Sequence, residues 1–240
     1  MSIAQYCIEI VRKTVERALV TTPHADPTQY ERLRDFGAAT VHEALGRIGA
    51  MHSSIKPLDP SMRVAGRALT VDCTPLDNLA IQYAVTIARP GDVLVVDAKA
   101  FVESGPWGDV LSLYAQQQGI AGLVIDGSVR DSRDIVEMGF PVFSRGVCIE
   151  GTYKYQPGAV DVPITCGGAI VNPGDIIIGD ADGVVVVPQS DLDRAVELSA
   201  ERVRKEDELR EQLRGGAALA DLLGLRDRLD EFGYERTRDR

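Results

Sequence analysis

From residue 63 to residue 188, short runs rich in Val, Ile and Leu alternate with stretches of helical spacing. Each apolar run is bounded by Gly, Pro or Asp, which is typical of a strand buried in a sheet. The runs lie at residues 64–71, 93–97, 123–126, 141–144, 176–178 and 184–187, and the helical stretches at 78–87, 109–118 and 132–138. Strands that alternate with helices predict an α/β fold with a mostly parallel sheet.

Helical segments flank this alternating region on both sides. Residues 3–20 have an amphipathic pattern, a polar linker follows, and residues 30–46 are predicted to form further helix. Beyond Pro188 a highly charged helix is predicted to run to about Arg214, followed by a short helix at 219–232. We therefore divide the chain into an N-terminal helix and linker (1–29), a central α/β domain (30–188), where any catalytic site is expected, and a C-terminal helical extension (189–240).

Charge and composition exclude several classes of function. The net charge of −10 argues against a nucleic-acid partner, because such proteins need a basic face. No apolar run approaches the ~20 residues that cross a bilayer, and the first twenty residues do not resemble a signal peptide, so we predict a cytoplasmic protein with no membrane partner. The four cysteines are scattered without a C-x-x-C pair, which excludes a zinc ribbon. If a metal binds, oxygen ligands and Mg²⁺ or Mn²⁺ are favoured.

The most informative residues lie around two predicted strand ends. Gly108 precedes a helix and leaves the first backbone amides of that helix, those of Asp109, Val110 and Leu111, without intrahelical partners. Such a helix end can bind a carboxylate or a phosphate, although an ordinary loop-to-helix junction has the same pattern.

Arg130 and Asp131 follow a buried strand, where sites form in α/β sheets. Arg130 offers a rigid cation and Asp131 a hard oxygen ligand. The structural alternative is that Asp131 caps the next helix while Arg130 pairs with a nearby acid. Together with Asp109 and the free amides, these residues suit a 2-oxo acid that chelates a divalent ion. Cleavage of its C3–C4 bond leaves a pyruvate enolate, which needs a Lewis acid and a cation.

A lysine Schiff base is the rival way to stabilise such an enolate. Among the five lysines, Lys99 alone lies near the carboxyl end of a predicted strand. Glu206 extends the apolar stripe of the C-terminal helix and is compatible either with a contact to a partner subunit or with a surface pair to Arg210. Four further polar residues are interpreted as helix caps or turn formers: Asp77, Asn78, Asp126 and Asp180.

The sequence resembles a known family in several motifs. They are VHEALGR at 41–47, PGDVLVV at 90–96, Gly108-Asp109, residues 123–144 and NPGD at 172–175. From about residue 36 to 187 the chain resembles the class II pyruvate aldolases that act on 4-hydroxy-4-methyl-2-oxoglutarate and 4-carboxy-4-hydroxy-2-oxoadipate, which belong to the RraA-like proteins. The resemblance implies a swivelling β/β/α domain assembled as homotrimers or homohexamers.

The resemblance also implies roles for individual residues. Asp131 would bind Mg²⁺ or Mn²⁺, residues 108–111 would hold the pyruvyl carboxylate, and Arg130 would steady the enolate oxygen. Asp109 would hold a water of the metal for proton transfer, and Glu206 would reach the site of a neighbouring subunit. One departure is Gln82, where close relatives often carry His.

Three functions are compatible with the sequence. The first is a metal-dependent lyase that releases pyruvate from a 4-hydroxy-2-oxo acid, with oxaloacetate decarboxylation as a side activity. The second is a non-catalytic regulator that binds a ribonuclease, as some relatives do. The third is oxaloacetate decarboxylation as the main role.

Overall fold

The computed structural model describes residues 27–234. Its helices are α1 (Pro27–Phe36), α2 (Ala38–Ala44), α3 (Leu79–Ile87), α4 (Asp109–Gln117), α5 (Ser132–Met138), α6 (Leu192–Arg214), α7 (Leu219–Leu222) and α8 (Arg226–Glu231). Its strands are β1 (Lys56–Pro57), β2 (Val64–Asp72), β3 (Asp92–Phe101), β4 (Gly122–Val129), β5 (Val142–Val147), β6 (Ala159–Val160), β7 (Ile164–Cys166), β8 (Ala169–Val171), β9 (Ile176–Asp180) and β10 (Gly183–Val187).

The main sheet has eight strands in the order β1-β5-β4-β3-β2-β9-β10, with β6 also pairing β2. Strands β2, β3, β4 and β5 are parallel to their neighbours in this group, and α3, α4 and α5 provide the crossovers between them. The other pairings are antiparallel. The prediction of a mostly parallel sheet is therefore wrong: the α/β fold is confirmed, but the sheet is mixed. The cause is the β9–β10 hairpin, which adds two antiparallel strands without a crossover helix.

The two faces of the sheet have separate cores. One face packs against α3, α4 and α5 and buries Trp107 and Phe140, whose rings stack with centroids 6.0 Å apart. The other face packs beneath the β7–β8 hairpin. A third core joins α1, α2 and the start of α6 to β9 and β10. The first core matters most for function, because Trp107 lies next to the glycine that begins α4.

Two of the predicted helices are interrupted. The stretch 30–46 breaks at Gly37, whose φ of +87° favours glycine, and the Oδ2 of Asp180 accepts the amide of Ala38 at 2.8 Å to start α2. The stretch 219–232 forms α7 and α8 with Gly224 between them. The helix predicted at 3–20 lies outside the described residues. The proposed boundaries at 29 and 188 remain a prediction, although α1 and α6 share one core.

In the part of the chain from 27 to 234, no helix combines the length and the apolar composition that a membrane span requires.

Candidate functional site

A cavity of about 370 Å³ opens near the carboxyl ends of β3 and β4. Its walls come from four parts of the chain: the start of α3, the loop at 105–108 with the first turn of α4, Arg130 after β4, and residues 151–154. All the residues predicted to bind substrate line it, from Gly108 through Leu111 together with Arg130. The structure thus brings together two motifs that are about twenty residues apart in the sequence.

Gly108 begins α4 in an extended conformation, with φ −148°. Its carbonyl accepts the amide of Ser112 at 3.1 Å and the hydroxyl of Ser112 at 3.0 Å. That hydroxyl in turn accepts the indole N–H of the fully buried Trp107 at 2.6 Å. These bonds fix the first turn of α4, so the amides of Asp109, Val110 and Leu111 present a rigid set of donors to the cavity.

Arg130 and Asp131 lie directly against this turn. The amide of Arg130 donates to the carbonyl of Trp107 at 2.8 Å. The Oδ2 of Asp131 lies 3.2 Å from the Nε of Arg130 and 3.4 Å from the amide nitrogen of Asp109. The guanidinium, the carboxylate and the helix N-terminus therefore form one contiguous group.

The alternative role of Asp131 as a helix cap is not what the structure has. Asp131 occupies the cap position of α5, but its side chain makes no capping hydrogen bond there. Its backbone adopts φ +53° and ψ +36°, a left-handed conformation that costs a non-glycine residue energy. The carboxylate contacts Arg130 and the first turn of α4 instead. Asp131 itself does not line the cavity, but its carboxylate contacts two groups that do. A strained backbone at such a residue is typical of a functional position.

The donor set is compatible with a hard divalent ion. Mg²⁺ commonly binds through one or two protein carboxylates and completes its shell with waters and substrate oxygens. Gly108 leaves room for this carboxylate, because a Cβ built there would lie 2.3 Å from the Oδ2 of Asp131. Within the described residues, no group of three or more His, Cys, Asp or Glu side chains could hold a metal. Among the described residues, an ion at this position would therefore have at most two such side chains as ligands, Asp131 among them, and other oxygens would complete its shell.

Glu206 does not line this cavity in its own chain. It lies on α6, where its carboxylate pairs with Arg202 at 2.9 Å and with Arg210 at 2.9 Å. Arg202 also approaches Glu43 of α2 at 3.7 Å. The surface pair between Glu206 and Arg210 is present, and the contact with a neighbouring subunit stays a prediction.

Lys99 is poorly suited to form a Schiff base. Its Nζ lies 2.6 Å from Asp72 and 2.6 Å from Asp97. Partial burial lowers the pKa of this amine, but the hydrogen bonds and charges of the two carboxylates outweigh that effect and raise the pKa above its ordinary value. A nucleophilic amine needs the opposite shift, so Lys99 is held as an ammonium.

Two parts of the cavity wall have no signal in the sequence. Residues 151–154 follow β5 in a stretch with no periodic pattern, and nothing local indicates that they return to the site. Asp77 and Asn78 were interpreted as helix caps. Asn78 lines the cavity and donates to the carbonyl of Pro106, another wall residue. Asp77 lies outside the lining; it accepts the amide of Leu79 and also that of Tyr155, next to the wall at 151–154.

A second and larger cavity, of about 460 Å³, lies between α1, the turn at 59–63 and α5. Its two arginines, Arg34 and Arg63, are accompanied by Asp35 and Asp59. These carboxylates balance the charge of the arginines, and none of the predicted site residues lines this cavity. We therefore take the smaller cavity as the candidate site.

Comparison with known proteins gives matches to one protein family. Residues 38–186 match the model of a protein family described as "RraA-like: Aldolase/RraA". A protein of Halalkalibacterium halodurans named "Putative 4-hydroxy-4-methyl-2-oxoglutarate aldolase" is 39% identical over 181 residues, covering 75% of this chain and 86% of that protein.

Two solved structures have the same fold. A crystal structure of an uncharacterized protein from Pseudomonas syringae superposes with a TM-score of 0.75 at 27% identity, covering 85% of this chain and 97% of that one. Streptomyces coelicolor RraAS2, described as an unusual member of the RNase ES inhibitor RraA family, superposes with a TM-score of 0.71 at 31% identity, covering 79% of this chain and all of that one. The RraA-like fold is thereby confirmed, and the chain belongs to the RraA-like family of aldolases and RraA proteins.

Proposed function

We propose that this protein is a divalent-metal-dependent lyase that cleaves 4-hydroxy-2-oxo acids to pyruvate and a second α-keto acid. The substrates would be of the 4-hydroxy-4-methyl-2-oxoglutarate and 4-carboxy-4-hydroxy-2-oxoadipate type. One observation carries the proposal: the first turn of α4 and Arg130 line one cavity, and the carboxylate of Asp131 contacts both of them. The name of the Halalkalibacterium halodurans relative supports the same activity.

Each group has a role that follows from its charge and position. The amides of Val110 and Leu111 at the N-terminus of α4 bind the C1 carboxylate, because unpaired N–H groups and the helix dipole favour an anion. Arg130 lies beside them and stabilises negative charge on the C2 oxygen. Asp131 would hold a divalent ion, which supplies Lewis-acid polarisation of the 2-oxo group when bound.

The bond changes balance without any redox partner. Loss of the proton from the C4 hydroxyl lets C4 become a carbonyl, and the electrons of the C3–C4 bond move into the C2 carbonyl as an enolate. Protonation at C3 then gives pyruvate. Asp109, the first residue of α4, lines the cavity, and its carboxylate would hold a water that takes up and returns that proton.

Oxaloacetate decarboxylation would follow from the same groups, because loss of CO₂ from C4 leaves the same enolate. This reaction is a side activity of the proposed lyase. If it were the main role, oxaloacetate would have the higher kcat/KM.

A pyruvate-release assay tests the proposal. The purified chain would be assayed with both 4-hydroxy-2-oxo acids and with oxaloacetate, in the presence of Mg²⁺ or Mn²⁺ and again after treatment with EDTA. We expect pyruvate and a stoichiometric second keto acid, loss of activity with EDTA, and recovery when the ion is restored. Absence of pyruvate from all substrates with either metal would refute the proposal.

A regulatory role is the second candidate, and the similarity to Streptomyces coelicolor RraAS2 favours it. Such a protein would bind a ribonuclease without needing the cavity. A pull-down with EDTA-treated protein and an RNase E-type enzyme, repeated with Asp131→Ala, distinguishes the two functions. Tight binding by both preparations, with no lyase activity in the untreated protein, would favour the regulator.

A further inference from the structure

Two adjacent buried polar residues, Asp77 and Asn78, lie at the junction of three cavity walls. They are only 4% and 7% exposed. Buried polar groups are costly unless they are hydrogen-bonded, and both of these are bonded to segments far away in the sequence. Neither residue belongs to the group formed by Arg130, Asp131 and the first turn of α4.

Asp77 holds the segment at 149–157, which we call the strap. Its Oδ1 accepts the amide of Leu79 at 2.9 Å, while its Oδ2 accepts the amides of Tyr155 at 2.6 Å and Gln156 at 3.1 Å. The bond to Leu79 ties the same carboxylate to the start of α3. Burial raises the pKa of Asp77, but the three amide bonds outweigh it and the pKa lies below its ordinary value. The carboxylate is therefore ionised when it holds the strap.

The strap has few other means of staying in place. Its backbone pairs with the chain before α3 through two bonds, from Tyr153 to Leu76 at 2.8 Å and from Asn78 to Tyr153 at 3.1 Å. One further bond, from the amide of Gly105 to the carbonyl of Glu150 at 2.8 Å, joins the start of the strap to the loop before Gly108. The side chains of Tyr153 and Tyr155 stack on each other but are 62% and 80% exposed. A segment with so little buried apolar surface depends on its polar anchor.

Asn78 holds a different wall. Its Nδ2 donates to the carbonyl of Pro106 at 2.9 Å, in the loop that leads into Gly108. Its Oδ1 lies 3.4 Å from the Nε2 of Gln82, which also lines the cavity. Asn78 thus joins α3 to the loop that presents the amides of α4.

We propose that Asp77 and Asn78 are positioning residues that divide the cavity between them, Asp77 fixing the strap at one end and Asn78 fixing the loop that carries Gly108 at the other. The expected effects on kcat and KM rest on the proposed lyase function. The expected effects on the strap and the loop rest on the hydrogen bonds alone. The strap wall, with Gly151, Thr152 and Lys154, would contact the part of a substrate beyond C3. The wall held by Asn78 lies where the C1 carboxylate and C2 oxygen would bind.

This division predicts opposite kinetic effects for the two positions. Asp77→Asn cannot accept all three amides, so the strap loosens and the KM for 4-hydroxy-4-methyl-2-oxoglutarate rises about tenfold while kcat changes less than about twofold. Asn78→Ala leaves the carbonyl of Pro106 without its hydrogen bond, so the loop before Gly108 shifts. The C1 and C2 end of the substrate is then misplaced, and kcat falls about tenfold with a smaller change in KM.

Two structural readouts test the same inference without any substrate. Trp107 is the sole tryptophan and follows Pro106 directly, so its emission reports on the loop. Hydrogen–deuterium exchange at residues 153–156 reports on the strap. We expect Asp77→Asn to speed exchange in the strap by about tenfold or more without shifting the Trp107 emission, and Asn78→Ala to shift the emission to longer wavelength with little effect on the strap.

Matched variants control for general effects of each substitution. Asp59→Asn removes a carboxylate that also caps backbone, through Ser61, but at the other cavity. Asn172→Ala removes an amide that bonds only locally, to Asp175. Neither should change strap exchange, Trp107 emission or the kinetic constants. If Asp77→Asn does not fold, Gln156→Pro removes one of the strap's donors while the carboxylate remains.

The outcomes separate this inference from the proposed function. The inference is overturned if hydrogen–deuterium exchange in the strap is unchanged in a folded Asp77→Asn variant. It is also overturned if Asp77→Asn and Asn78→Ala change kcat and KM in the same way. Exchange and emission that respond as expected in a chain without lyase activity would support the two anchors and refute only the proposed reaction.

Discussion

Gly108 shows that a residue without a side chain can determine where a charged neighbour lies. Its φ of −148° is open to any residue, so backbone strain is not the reason for glycine here. The reason is contact: a Cβ would lie 2.3 Å from the Oδ2 of Asp131 and 3.2 Å from the Nε of Arg130. A side chain at position 108 would displace the flexible carboxylate of Asp131 before it moved the backbone. It would therefore change the site and leave the fold intact.

We therefore expect Gly108→Ala to fold but to lose function. The carboxylate of Asp131 is displaced, and affinity for Mn²⁺ falls by about tenfold or more because a ligand held off position loses most of its contribution. Titration with Mn²⁺ followed by electron paramagnetic resonance measures the affinity, and thermal unfolding checks the fold. Gly215→Ala, at the end of α6 with no contact below 3.3 Å, is the matched control. Wild-type affinity in Gly108→Ala would contradict the assignment of Asp131 as the ligand.

Arg130 has a separate and testable role. Replacement by Ala removes the cation beside the C2 oxygen and should lower kcat by about 10²- to 10³-fold, the usual effect of losing one oxyanion donor. Arg130→Lys should recover little, since an ammonium lacks the planar fork that contacts Asp131 and the cavity together. Arg133→Ala, three residues away and paired only with Glu137 on the surface, should retain full activity. Steady-state kinetics of pyruvate release measures all three, and normal turnover by Arg130→Ala would rule out this site.

At the level of secondary structure, local pattern explains most of the fold. The six apolar runs correspond to β2, β3, β4, β5, β9 and β10, and the helix predicted at 132–138 is α5. The shorter strands β1, β6, β7 and β8 have two or three residues, too few for a period of two to be seen. Their positions depend on partners elsewhere in the chain.

The same distinction applies to the candidate site. Residues Gly108 and Arg130 could be predicted because a helix start and a strand end have local signatures. Asp77 and Asn78 could not, because their partners at Tyr155 and Pro106 are 78 and 28 residues away. Asp180, interpreted as a turn former, accepts the amide of Asp182 as expected of a turn and also caps α2.

We expect the cap that Asp180 provides to α2 to stabilise the fold. The Oδ2 of Asp180 satisfies the amide of Ala38 at a break where α2 has no side-chain cap of its own. Asp180→Ala should lower the free energy of unfolding by about 0.5–2 kcal/mol, the usual cost of losing a helix cap, and Asp180→Asn should cost less. Urea unfolding followed by circular dichroism measures both, with Asp182→Ala as the control in the same turn. Equal stability of the Ala and Asn variants would argue against capping.

The anchor at Asp77 makes the strap sensitive to acid. The pKa of this carboxyl lies below its ordinary value in the folded chain, because its hydrogen bonds to the amides of Leu79, Tyr155 and Gln156 outweigh the opposing effect of burial. Its contribution to stability is present above the ordinary pKa of about 4 and is lost as the pH falls through the folded value. The difference in Tm between the wild-type chain and Asp77→Asn should therefore be full at pH 7 and shrink as the pH drops below about 4. A difference in Tm that increases as the pH falls would contradict this prediction.

At the scale of the whole molecule, Glu206 raises the question of whether one chain is a complete enzyme. In its own chain it is held by Arg202 and Arg210 and lies outside the cavity. We propose that the protein assembles as a trimer or hexamer in which this helix presents Glu206 to the cavity of a neighbouring subunit. Light scattering on the purified protein measures the assembly.

Complementation then tests the role of Glu206. Glu206→Gln and Arg130→Ala should each be nearly inactive as separate preparations. When the two chains are unfolded together and refolded as mixed oligomers, some cavities receive a normal Arg130 from one chain and a normal Glu206 from the other. Turnover should then exceed that of either parent. Glu208→Gln, on the same helix and paired with Arg204, is the control that stays active alone. If mixing restores nothing although light scattering shows mixed oligomers, or if Glu206→Gln alone is fully active, Glu206 does not act across the interface.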